Sequence, residues 1–176
     1  PYIPTLALDK FAHAYTSSPD WMEDTFFKAS LEPGVYEMIS SSAYQNEQKG
    51  SAASARSASA FRIALQNVKK LHDAGVMVAL GTDSGAFPIR AQGFAEHLEL
   101  ELLVEAGISP QDVIRIATLN AARVLQIDRD YGSIEKGKIA DLLVLDANPL
   151  ENIRNTRAIH AVYKSGKLFS KGPLQN

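Results

Sequence analysis

Ten residues constrain this chain most: Val76-Met77-Val78-Ala79-Leu80-Gly81-Thr82-Asp83-Ser84-Gly85. The unbroken apolar run between Gly75 and Gly81 is short enough for a strand. It shows no alternation of polar and apolar positions, so both faces of that strand are expected to be covered. Strands of that kind belong to parallel α/β sheets, in which helices cover the faces and only the strand ends meet solvent. The run delivers Asp83 into a loop at its carboxyl end, where such sheets display reactive groups. Asp83 is therefore the leading candidate for chemistry. An Asp beside Ser and Gly after a strand is also an ordinary turn former, its carboxylate binding nearby backbone N–H groups. On these residues alone the two readings stand side by side.

The flanks supply the layers. Phe61, Leu65, Val68 and Leu71 or His72 recur at the spacing of one helical face, with Arg62, Gln66, Lys69, Lys70 and Asp73 largely elsewhere. Gly75 stands where a helix ends in a left-handed residue. Helix, glycine, buried strand and Asp83 together form the αβ half of a βα repeat. Residues 50–60 are almost wholly Ser and Ala around Arg56, which suits a flexible linker or a continuation of the helix. Residues 2–8 read as a strand, with Pro4 at its end or at a position without a ladder bond. Ser18-Pro19-Asp20 offer a cap, a proline tolerated in the first turn and an acid for the helix dipole, predicting a helix over 19–31 closed by Pro33-Gly34. A further short helix is expected over 35–44.

Beyond Asp83, residues 85–93 form a long loop, apolar for a surface connection, of the sort that covers a substrate pocket. Ser84, Phe87 and Arg90 are candidates for contact there, with loop packing or solvation as the plainer reading. A second helix is expected over 94–106, with Leu98, Leu102 and Leu103 or Val104 inward and Glu96, Glu99, Glu101 and Glu105 making it acidic. Ser109-Pro110-Gln111-Asp112 opens a third, with a break near Thr118-Leu119-Asn120. At about Asp128 the pattern changes to short strands and tight turns. Leu142-Leu143-Val144-Leu145 reads as a strand, and Ser165-Gly166 joins 158–164 to 167–169 as a hairpin. The expected division is 1–127 for the βα part and 128–176 for a β module, with Asp141 and Asp146 as turn and strand-end residues.

Composition narrows the chemistry. The 18 basic and 20 acidic residues, net −2, give no electrostatic argument for nucleic acid or an anionic membrane. There is no cysteine, which excludes disulfides, thiolate metal sites and a cysteine nucleophile. No apolar run approaches the roughly 20 residues needed to span a bilayer. The chain opens on Pro1 and not Met, so it is expected to begin in mid-fold, and its compartment stays open. The four histidines, His13, His72, His97 and His160, are scattered, and no His-x-His occurs. His72 is expected to be solvated or to face the helix dipole, and His13 and His160 to be ordinary surface or half-buried residues. His97 follows the loop after Asp83 and is read equally as a site-adjacent residue and as a structural one at the helix start.

Three stretches carry a resemblance: Leu71-His72-Asp73-Ala74-Gly75-Val76 running into Gly81-Thr82-Asp83-Ser84-Gly85, then His97-Leu98-Glu99-Leu100-Glu101-Leu102-Leu103-Val104-Glu105-Ala106-Gly107, then Ala117-Thr118-Leu119-Asn120-Ala121-Ala122-Arg123-Val124-Leu125 with Gly132-Ser133-Ile134-Glu135-Lys136-Gly137-Lys138-Ile139-Ala140-Asp141-Leu142-Leu143-Val144-Leu145-Asp146. In this order, over roughly 61–170, they resemble the last barrel repeat and C-terminal β domain of metal-dependent amidohydrolases, most closely the imidazolonepropionase-like and prolidase-like branch. The resemblance implies an α/β fold, the C-terminal part of a (β/α)₈ TIM-type barrel followed by a small β-strand module. It implies hydrolysis of a carbon–nitrogen bond in an amide, cyclic amide or dipeptide-like small molecule by a metal-activated water, with zinc as the expected divalent ion. Asp83 matches the aspartate of the eighth strand, a metal ligand and proton shuttle. His97, Ser84 and Phe87 become substrate-contact candidates.

The departure from the family pattern is large. One carboxylate cannot hold a catalytic zinc, which takes three or four protein ligands. The chain alone is therefore expected to be inactive, with the missing N-terminal part of the same enzyme as its partner and self-association left open. Two βα units cannot close a barrel, so apolar faces are expected to stay exposed unless another chain covers them. Open alternatives are a non-catalytic interaction or structural module in which Asp83 is a turn residue, and a deaminase or a lactone or phosphoester hydrolase of the same superfamily.

Overall fold

A computed structural model describes residues 1–172. The regular elements of the first 125 residues are helices and one strand contact, joined by turns and by the long loop between the helices Ala52–Asp73 and Phe94–Glu105. Tyr2 N donates to Met77 O at 2.8 Å and Ala79 N donates to Tyr2 O at 3.0 Å, a parallel bridge between Tyr2 and Val78. The expected strand over 2–8 shrinks to this contact, because α1 (Leu6–Ala14) begins where the strand was to continue. The reason lies far away in sequence: Glu99 accepts the N–H groups of Leu6 at 2.9 Å and Ala7 at 2.6 Å, supplying the cap that the first turn of α1 otherwise lacks. The run at 76–80 is likewise only half covered. Val78 and Ala79 are buried, whereas Val76 and Met77 are 38% and 40% exposed. Tyr2 is the only β-bridge partner of this segment among the described residues, so one edge has no neighbour.

The helix predicted over 19–31 is divided. A 3₁₀ turn (Asp20–Glu23) and α2 (Thr25–Ala29) are separated by Asp24, whose extended backbone lets its carboxylate accept the Phe26 N–H at 2.8 Å and start a new helix. Ser41 breaks the expected 35–44 helix in the same way, into α3 (Val35–Ser40) and α4 (Ser42–Gly50). The Ser/Ala stretch is helical. Ser51 caps α5 (Ala52–Asp73), which buries Ser54, Phe61 and Val68 and ends at Gly75 with φ +77°. Helix α6 (Phe94–Glu105) buries Leu98, Leu102 and Leu103, as its periodicity predicts.

The break expected near 118–120 is a single π turn (Ile116–Asn120) between α7 (Pro110–Arg115) and α8 (Ala121–Val124). There the Asn120 side chain donates to Val78 O at 2.9 Å, tying the helix to the strand segment that leads to Asp83. One core, including Leu6, Phe11, Phe27, Val78, Phe94 and Leu103, joins these elements. The remainder is an antiparallel sheet in the order β1 (Leu142–Leu145), β2 (Ile159–Lys164), β3 (Lys167–Lys171), with a 3₁₀ turn (Ile153–Arg157) between β1 and β2. Ser165 and Gly166, at φ +51° and +75°, make the tight hairpin expected of them. Leu143, Leu168 and Phe169 remain exposed on this sheet. Of the β module read over 128–176, residues 173–176 lie outside the described residues. No helix among the described residues is long and apolar enough to cross a membrane.

Candidate active-site loop

The strand segment ends at Gly81, where a side-chain carbon would meet Ile3 Cγ2 at 2.4 Å, so a larger residue would have to displace Ile3. Asp83 follows with φ +53°, in the left-handed region that Asp and Asn enter more readily than bulkier residues. Its side chain is half exposed, and Arg90 Nη1 lies 2.9 Å from its Oδ2. Arg90 also lies over the Phe87 ring, 4.9 Å from its centroid, and Phe87 is 59% exposed. The loop closes on itself: Gly85 N donates to Arg90 O at 3.0 Å and Arg90 N to Phe87 O at 2.9 Å.

Ser84 does not point freely into the loop. Its hydroxyl donates to Glu96 Oε1 at 2.7 Å, beside the Thr82 hydroxyl, which donates to the same oxygen at 2.9 Å. Glu96 Oε2 accepts the Gly93 N–H at 2.8 Å. Sequence reading placed Glu96 on an acidic helix face and missed this function. The available signal was its place three residues after Gly93, where a carboxylate reaches back to the N–H preceding the helix.

His97 is half-buried away from these contacts. Its Nδ1 is 2.9 Å from Thr156 Oγ1 and its ring meets Phe26 edge-on at 5.2 Å, so it links α6 to the turn before β2. His13 Nδ1 bonds Asp9 O at 2.6 Å, His160 Nδ1 pairs with Asp146 at 2.9 Å, and His72 Nδ1 lies 3.6 Å from Asp73 without a hydrogen bond. Asp141 accepts the Ser165 N–H at 2.7 Å, the turn role expected for it.

Among the described residues no group of three or more His, Cys, Asp or Glu could hold a metal ion. Asp83 offers one carboxylate, engaged by Arg90, so the donors of this chain alone do not fit a catalytic divalent centre. A cleft of about 270 Å³ opens at the opposite end of the strand segment, lined by His72, Val76, Asp112, Arg115 and Asn120 among others, and Asp83 is not in its walls. In a parallel α/β fold reactive groups collect at the carboxyl ends of strands, which favours the Asp83 loop over this cleft.

Two groups in α6 make stability depend on pH. Burial raises Glu99 from 4.5 to about 7, against the pull of the Leu6 and Ala7 N–H groups. Burial, with Arg157 nearby, lowers His97 from 6.5 to about 4. The stability contributed by Glu99 is full below about pH 4.5 and lost as pH rises through 7; that from His97 is full above 6.5 and lost as pH falls through 4. Each displacement corresponds to about 3 kcal/mol, at about 1.4 kcal/mol per pH unit. Over the shared window the two oppose one another. Urea midpoints of the unaltered protein should therefore stay nearly level there, whereas Glu99→Gln should show stability rising toward pH 6.5 and His97→Gln should show it falling toward pH 7. Parallel curves for all three proteins would contradict this.

The chain matches the model of the Amidohydrolase family over residues 6–169. It is 40% identical over 105 residues to ochratoxinase of Aspergillus niger, covering 57% of this chain and 20% of that protein. It is 33% identical over 111 residues to imidazolonepropionase of Shouchella clausii, covering 60% and 24%. Among solved structures it resembles a Xaa-Pro dipeptidase with methionine bound in its active site, with TM-score 0.67 and 27% identity over 97% of this chain and 34% of that one. It also resembles the A. niger ochratoxinase structure, with TM-score 0.59 and 28% identity over 98% and 32%. The chain spans about a fifth to a quarter of the length of these curated relatives.

Proposed function

Because this chain belongs to the Amidohydrolase family, we propose that it forms the C-terminal part of a metal-dependent hydrolase acting on carbon–nitrogen bonds of small amide, cyclic amide or dipeptide-like substrates. Residues 1–127 are the last βα units of a (β/α)₈ barrel and 128–176 a β module. The observation that carries the reading is the position of Asp83: half exposed, at the carboxyl end of a parallel strand segment, in a left-handed conformation. Asp83 takes the proton of the attacking water and returns it to the leaving nitrogen, work suited to an anionic carboxylate within reach of both. Asp83 would be one ligand of a divalent ion, zinc by expectation, which would supply Lewis-acid chemistry at the substrate carbonyl, and the described residues of this chain do not supply its other donors.

Phe87 faces the substrate. Ser84 and His97, engaged by Glu96 and Thr156, support the frame of the site. The Asp83–Arg90 pair favours a second reading, a non-catalytic module in which Asp83 is a loop residue.

The test is to express the full reading frame that contains this chain and to assay it with N-acyl amino acids, dipeptides and cyclic amides. Amine release that is lost to a chelator and regained with zinc is expected. Turnover of lactones or phosphoesters alone would move the protein to another activity of its superfamily, and no turnover of any of these would favour the module.

A further inference from the structure

Asp83 holds a left-handed backbone conformation, one that Asp enters more readily than bulkier residues but that still costs energy unless its surroundings favour it. The surroundings are three hydrogen bonds to one side chain. Glu96 Oε1 takes the hydroxyls of Thr82 and Ser84, the residues immediately before and after Asp83, at 2.9 and 2.7 Å. Its Oε2 takes the Gly93 N–H at 2.8 Å, on the returning arm of the loop. The Ser84 N–H donates to Thr82 Oγ1 at 3.2 Å, bridging Asp83 a second time. Gln92 packs over Gly85, where an added side-chain carbon would meet Gln92 Nε2 at 2.0 Å, so the neck of the loop is closed as well. Glu96 is rooted in the first turn of α6, whose Phe94 and Ala95 are buried in the core.

From this geometry we infer that Glu96 is a positioning residue, a carboxylate clamp that holds Asp83 in its left-handed conformation by gripping the residues on either side of it and the far arm of the loop. The inference rests on the hydrolase reading, since it is Asp83 as the proton-transfer group that is positioned. Glu96 itself engages hydroxyls and an amide and does not touch the reacting atoms. A methionine in its place keeps roughly the length of the side chain and has no oxygen to accept from either hydroxyl or from Gly93, whereas a glutamine could turn its oxygen to Gly93 and donate its amide hydrogens to the two hydroxyl oxygens. Because a misplacement of about 1 Å can cost about a hundredfold in rate, loss of the clamp acts on turnover rather than on substrate affinity.

The test uses the protein expressed from the full reading frame, with Glu96→Met, Thr82→Val and Thr82→Ser. Glu96→Met is expected to lower kcat at least tenfold with KM within twofold, and to speed hydrogen exchange at the Gly93 and Ser84 amides at least tenfold while the Ala106 amide at the end of α6 is unchanged. Thr82→Val removes one arm of the clamp and is expected to lower kcat, and Thr82→Ser, which keeps the hydroxyl, to recover most of that loss. Unchanged kcat in Glu96→Met, or a rise confined to KM, overturns the inference. If the unaltered protein hydrolyses none of the substrates, the hydrolase reading fails, and exchange alone decides the clamp: faster exchange at Gly93 and Ser84 supports it, and unchanged exchange overturns it.

Discussion

Asp83→Asn is expected to lower kcat/KM for carbon–nitrogen bond hydrolysis by about 10²–10⁴-fold, the usual contribution of a positioned proton-transfer group, and to leave the fold intact. Asparagine has the shape of aspartate, tolerates φ +53°, and keeps an oxygen that can accept from Arg90. What it loses is the capacity to take up a proton. The pair with Arg90 joins a half-exposed carboxylate to a mostly covered guanidinium. Solvent screening of such a pair limits its contribution to about 0–1 kcal/mol, so thermal or urea midpoints should barely move. A variant that retains activity within about tenfold would make Asp83 a turn residue, the alternative its neighbours Ser84 and Gly85 already allowed.

Arg157→Met should be the most destabilising of the conservative substitutions considered, at about 3–5 kcal/mol, the usual range for breaking a buried ion pair from one side. Arg157 Nη1 lies 2.6 Å from Asp24 Oδ2, and Nη2 lies 2.7 Å from Glu101 Oε1, close in distance though not aligned as a directed hydrogen bond. Its guanidinium also covers Phe94 at 5.2 Å. The side chains of Arg157 and Glu101 are 13% and 14% exposed, so little water is available to replace the lost cation. Met fills the volume of the stem, leaves Asp24 without its counter-charge and leaves Glu101 with only the exposed Arg154. Arg154, which also reaches Glu101 at 2.8 Å but is 62% exposed, should cost at most about 1 kcal/mol when truncated. Urea unfolding of the two variants checks the contrast. Adding Glu101→Leu to Arg157→Met should recover part of the loss, because Glu101 would otherwise stay covered with only the exposed Arg154 to balance it. If Arg154 proves as costly as Arg157, burial is not what sets the magnitude.

The family was legible from ordered local motifs, because the turn residues, helix faces and strand run that carry the resemblance are contiguous in sequence. The caps at Ser109 and Gly75 and the hairpin at Ser165-Gly166 were legible for the same reason. The divisions at Asp24 and Ser41 were not, although each is a local cap, since Asp and Ser in a helical pattern can continue the helix or restart it. Which they do depends on how Phe27 and Ile39 are drawn into the core. For His97 the periodicity left two readings open. Only its contacts with Phe26 and Thr156, from distant parts of the chain, show which neighbours occupy its ring.

By itself, then, the sequence determined the type of most elements, the strand expected over 2–8 excepted, the hairpin joining β2 and β3, the family and the candidacy of Asp83, all of which depend on local runs of residues. The tertiary structure decided which acidic residues of α6 serve which contacts: Glu96 holds the loop, Glu99 starts α1 and Glu101 binds Arg154 and Arg157. In sequence these are similar carboxylates on one helix. They differ because each turn of that helix faces a different part of the chain, and a carboxylate's function is set by the donors that folding brings to it.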